Sequence, residues 1–156
     1  MGTSPHVDES LSLEQIEDRR WGSPPADATR LIKTVHALRH KPIGSLAIED
    51  LRVLLLQQVS LAVLVPIALA RLEQNPLAEG DFHPGDLLAA VLQIPRAYWQ
   101  QHLGQRRRVE AVVTAVEALG NLDDHGAPHE TIRQRIHAFS SSHGKCSGLL
   151  GDRAVV

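Results

Sequence analysis

Two blocks in the middle of the chain, Val53 to Leu56 and Leu61 to Leu72, are apolar almost all the way round a helix, and this limits the fold more than any other feature. A helix with no polar face has no side to turn to water, so it belongs inside a bundle with other elements covering it. Pro66 falls within the second block and either starts a second helix or kinks one long helix; a break is expected between Val59 and Val65. The longest apolar run, Leu61 to Ala70, has ten residues, half the roughly 20 that a membrane span requires. Apolar residues make up 43% of the chain and aromatic ones only 3%, so the core must be aliphatic, a mixture that favours helices over sheets. A chain of 156 residues without strand alternation or internal repeat then reads as one all-α domain, a bundle of about six to eight helices.

Helix starts fill in the order. Ser12 and Gln15 have the spacing of a capping box, opening a short helix that runs to Arg20, and Trp21-Gly22-Ser23-Pro24-Pro25 stops it. Asp27 is expected to cap the next helix, where Leu31, Ile32, Val35 and Leu38 fall on one face before Pro42 ends it near His40. A cap at Ala47 puts Glu49 and Asp50 in the first turn and pairs Leu46 with Leu51 as a hydrophobic staple. The same scheme reappears at Phe82-His83-Pro84-Gly85-Asp86-Leu87, with Pro84 first in the helix, and there Phe82 can either staple inward onto Leu87 or stand exposed on the loop. Val109, Val112, Val113, Val116 and Leu119 stripe a later helix from about Gln105, and Pro128 to Phe139 form the last. Residues 1–9 read as a disordered lead-in, residues 10–139 as the domain and residues 140–156 as a flexible tail.

Charge narrows the function. The net charge of −2 argues against a dedicated nucleic-acid binder, and the single cysteine, Cys146, fits a reducing compartment. The N-terminus has neither the basic nor the apolar region of a secretory signal, so a cytoplasmic protein is expected. The first 86 residues carry 12 acids and 8 bases, and the remainder 6 and 8. Glu79 and Asp81 lie beside Phe82 with no helix start to explain them, and an aromatic ringed by carboxylates suits a basic protein partner. His83 adjoins them, and Glu14, Glu17 and Asp18 form a second acidic run upstream.

Catalytic and metal chemistry are thinly supported. His36 with His40 and His125 with His129 have i,i+4 spacing, but no HExxH or CxxC pattern supplies further ligands, so no metal or cofactor is expected. Ser140 to His143 and Cys146 fall in the tail, without the positioning catalysis needs. A small enzyme would have to gather Gln57, Gln58, Asp50 and His36 in one pocket. A helical nucleic-acid-binding regulator would use Arg106-Arg107-Arg108, whose simpler reading is a solvated helix face.

One ordered series of motifs goes further. Trp21-Gly22 with Pro24, then His36, Leu38-Arg39 and Lys41-Pro42 lead into Glu49-Asp50-Leu51-Arg52 and Gln57-Gln58. Leu64-Val65-Pro66 with Ala68-Leu69 follow, and then Asn75 to Phe82 and Pro84 to Leu88. Over about residues 10 to 120 the chain resembles the small helical immunity proteins of bacterial contact-dependent growth inhibition systems. It departs from their pattern at Leu56 and Ser60, which stand where glycines are expected, and at His83, where tyrosine is. The resemblance implies a stoichiometric inhibitor, not an enzyme. Its partner would be the toxic C-terminal domain of a cognate toxin, commonly a nuclease with a basic cleft, and neither nucleic acid nor membrane. The expected toxin-binding residues are Glu79, Asp81, Phe82 and His83, with Glu14, Glu17 and Asp18 behind them. Asp50, Arg52, Gln57 and Gln58 are assigned to capping and polar satisfaction inside the bundle.

Overall fold

The turn between the two apolar blocks sets the arrangement of the bundle. In the computed structural model, which describes residues 8–153 and side chains as far as Ser141, helix α3 (Ile48–Leu56) ends and α4 (Leu61–Gln74) begins across Gln57–Ser60. The break therefore comes earlier than Pro66 suggests. Gln58 and Ser60 take left-handed φ values of 56° and 52°, and these two residues reverse the chain while Pro66 remains inside α4.

Helix α4 is the centre. Leu64, Val65, Ala68, Leu69 and Leu72 are buried on it, at the i, i+1, i+4 spacing of a wide apolar face, and it packs against α3, α5 (Asp86–Leu92) and α7 (Leu103–Glu117). From α3 come Leu51, Leu54 and Leu55; α5 is buried along nearly its whole length. The valine stripe of α7 is buried as its spacing predicts, but Leu119 lies beyond the helix and is 41% exposed. Helix α6 (Arg96–Gln101) brings in Trp99, fully buried and edge-on to Phe139 of α8 (His129–Arg153). Among the described residues there are eight α-helices and two short 3-10 turns with no named strand, as an all-α reading requires.

At the N-terminal end, α1 (Leu13–Glu17) starts at the Ser12–Gln15 capping box and stops one turn later at Asp18, short of Arg20. Helix α2 (Arg30–Leu38) is capped by Thr29, whose hydroxyl accepts from Ile32 N, and not by Asp27. Val35 and Leu38 face the core, whereas Leu31 and Ile32 are 43% and 44% exposed, so the expected stripe is buried only in its C-terminal half. Helix α8 continues past Phe139 to Arg153, through backbone read from the sequence as tail. Residues 1–7 of the expected lead-in, residues 154–156, and the side chains of Ser142, His143 and Cys146 lie outside the described residues.

Candidate functional site

The stretch from Asn75 to Gly85 folds around one carboxylate. Asn75 closes α4 and its Oδ1 accepts from Leu77 N at 3.2 Å, while Ala78 tucks into the core. Gly85, at φ +85°, then directs the chain into α5, which starts at Asp86 and not at Pro84. The Asp86 side chain is buried and turns back into the loop, where it accepts from the amides of Gly80 at 2.6 Å, Phe82 at 3.1 Å and His83 at 3.4 Å. A carboxylate taken out of water needs several donors, and three amides of the one loop supply them.

A second carboxylate clamps the loop from α3. Glu49 accepts from Asp81 N at 3.0 Å, and Arg52, one turn on, grips both oxygens of Glu49 through Nε and Nη2 at 2.7 Å each. The hydrogen bond from Arg52 holds the Glu49 carboxyl below the usual carboxylate range, against the opposing effect of burial, and the same bond raises Arg52. Gly80 sits between the two carboxylates: a Cβ there would meet Glu49 Oε1 at 2.6 Å and Asp86 Oδ2 at 3.0 Å.

Phe82 does not staple onto Leu87. Its ring is 69% exposed, and the Arg52 guanidinium stacks over it at 4.3 Å from the centroid. With Asp86 drawing the loop amides inward, the ring is left outside. Glu79 and Asp81 are exposed beside it, and among the described residues their carboxylates accept no hydrogen bond. His83 is half-buried, its Nδ1 donating to Pro84 O at 2.9 Å. Glu79, Asp81 and Phe82 therefore share one ordered, solvent-facing loop, with His83 at its edge.

The upstream acids are placed differently. Glu17 accepts from Arg39 Nη1 at 2.7 Å and from Ser60 Oγ at 2.8 Å, and Arg39 is 1% exposed, with Nη2 on Arg19 O and its guanidinium 4.2 Å from the Trp21 ring centroid. Glu14 lies 3.1 Å from His40 Nδ1. Of this group Asp18 alone is exposed without a side-chain partner among the described residues.

The other candidates do not converge. Gln57 and Gln58 face solvent rather than the bundle interior, Asp50 caps Ala47 N and pairs with Lys41, and His36 packs against Trp21. Arg108 is tied to Glu73 at 2.7 Å and Arg106 to Glu110, so two of the three cations in the arginine run have intramolecular partners. Among the described residues no group of three or more histidines, cysteines or acids could hold a metal, and no helix is long and apolar enough to cross a membrane. Glu49 and Asp86 were legible only as helix-start acids. The i,i+3 spacing of Glu49 and Arg52 was the available sign of a fixed pair.

A family model described as CDI immunity proteins, CDI being contact-dependent growth inhibition, matches residues 15–109, from α1 into α7 and across the whole Phe82 loop. No curated protein and no solved structure matches.

Proposed function

The chain belongs to the CDI immunity proteins, and on that footing we propose that it binds and neutralises the toxic C-terminal domain of a cognate toxin, one to one, in the cytoplasm. The toxin domain is a nuclease with a basic surface, and the loop from Glu79 to His83 is where it docks. Neutralisation of this kind asks no chemistry of the inhibitor, only an interface of standard size, roughly 1,600 Å² in total, with a few anchors. The single observation that supports the loop is the 69% exposure of Phe82 on a backbone held by Asp86 and Glu49. An aromatic side chain kept in water on an ordered loop, beside two carboxylates that form no ion pair among the described residues, has the composition of an interface anchor with complementary charge.

The test is calorimetric titration against the C-terminal domain of the large exported protein encoded beside this chain, at two salt concentrations. Tight one-to-one binding that weakens with salt is expected, and the Glu79→Lys, Asp81→Lys double variant should bind at least about tenfold more weakly while remaining folded. A folded double variant with undiminished affinity and protection would remove the loop from the interface.

A further inference from the structure

We propose that the face of Phe82 turned away from Arg52, together with Glu79 and Asp81, receives an arginine or lysine side chain of the toxin domain. This rests on the reading that the loop is the docking site, and it specifies what the anchor contacts. An exposed phenyl ring can anchor a partner in two ways, by filling an apolar pocket or by presenting its electron-rich face to a cation, and the surroundings of Phe82 favour the second.

The ring already holds one guanidinium, with Arg52 at 4.3 Å. That guanidinium is fixed, since both its Nε and its Nη2 are on Glu49 at 2.7 Å, so it occupies one face and leaves the other to solvent. A second cation on the open face is repelled by Arg52 across the thickness of the ring. Charges of opposite sign offset this repulsion, since Arg52 is itself paired with Glu49 at 2.7 Å and two further carboxylates belong to the loop. Glu79 and Asp81 are in the loop that carries the ring, exposed and without hydrogen-bond donors of their own among the described residues. Their backbone is anchored, Asp81 N on Glu49 and the neighbouring amides on Asp86, so the carboxylates need little ordering on binding. An apolar pocket, in contrast, would have to cover these two carboxylates without replacing their water, which is unfavourable.

The experiment compares the wild-type chain with Phe82→Leu, Phe82→Ala and Phe82→Trp against the same toxin domain, each variant first checked for native circular dichroism. Leucine keeps most of the apolar area and removes the aromatic face. Phe82→Leu is expected to weaken binding about 3- to 30-fold, the range of a cation over an aromatic ring, with Phe82→Trp at least as tight as wild type. If Phe82→Leu binds like wild type while Phe82→Ala is weakened, the ring fills an apolar pocket and the proposal fails, although the loop remains the docking site. If Phe82→Ala also binds like wild type, or the wild-type chain does not bind the domain, the docking reading fails together with the proposal.

Discussion

At the scale of single residues, the turn between α3 and α4 departs furthest from what local sequence prefers. Gln58 and Ser60 hold φ values of 56° and 52°, where a Cβ costs about 1–2 kcal/mol. The motif series leads one to expect a glycine at position 60, and the observed backbone has the conformation a glycine would adopt freely, so serine maintains a turn it does not favour. What Ser60 gains is a hydroxyl that donates to Glu17 at 2.8 Å and accepts from Arg39 at 3.3 Å. Gln58 is exposed and has no such compensation among the described residues. Gln58→Gly is therefore expected to stabilise the protein by about 0.5–1 kcal/mol, read as a higher urea midpoint at unchanged slope. Ser60→Gly should be close to neutral, because the strain relieved and the hydrogen bonds lost oppose each other. A Gln58→Gly midpoint at or below wild type would mean that no strain is stored there. Position 60 was marked in advance only by the glycine that the resemblance leads one to expect there, and Gln58 not at all, because a left-handed residue other than glycine or asparagine leaves no mark of its own in a sequence.

At the scale of elements, the helix starts that hold as read are those where a side chain and a backbone amide fit only one register. The Ser12–Gln15 box closes in both directions, and Asp50 accepts from Ala47 N at 2.9 Å. The start of α5 went differently because Asp86 has a competing use. To gather the amides of Gly80, Phe82 and His83, its carboxylate must be at the head of the helix, so Pro84 and Gly85 are drawn into the loop and Phe82 is left outside. Gly85 makes this geometry possible twice over. Its φ is +85°, and a Cβ on it would be 2.6 Å from Ile132 Cδ1, where α8 packs on α5. Gly85→Ala is expected to cost about 2–4 kcal/mol from backbone strain and overpacking together. Ile132→Val alone should cost about 0.5–1.5 kcal/mol, yet in the Gly85→Ala background it should be nearly free or favourable, since it removes the clashing methyl. Simple additivity of the two in a thermal-melt cycle would show that the α5–α8 contact does not limit the loop.

At the scale of the whole molecule, the excess of acid in the first 86 residues divides into two populations, and the sequence presented them as one. Both runs were visible as charge, but their roles depend on which cations the fold brings near them, and no local pattern encodes that. Two of the three upstream acids are used internally, Asp18 being the exception: Glu14 faces His40, and Glu17 is the carboxylate on Arg39, an arginine that is 1% exposed and packed under Trp21. Glu79 and Asp81 form no ion pair or hydrogen bond through their carboxylates among the described residues, and Arg52, the cation that Asp81 feels, is already held by Glu49, so much of their field extends into solvent. Long-range attraction to a basic partner depends on charge that is not neutralised at home, and it appears chiefly in the association rate and its dependence on salt. The two populations should therefore separate by measurement. Glu17→Gln deprives a buried guanidinium of its counter-charge and is expected to destabilise by about 1–3 kcal/mol, less than a fully buried pair would lose because Glu17 is 30% exposed. Its association rate with the toxin domain should stay within about twofold of wild type. Glu79→Gln with Asp81→Asn should do the reverse, leaving stability within about 0.5 kcal/mol while slowing association and flattening its salt dependence. Stopped-flow mixing at two salt concentrations, alongside urea unfolding, reads both quantities. Should Glu17→Gln slow association as much as the loop pair does, the N-terminal acids would belong to the interface and the division drawn from their partners would be wrong.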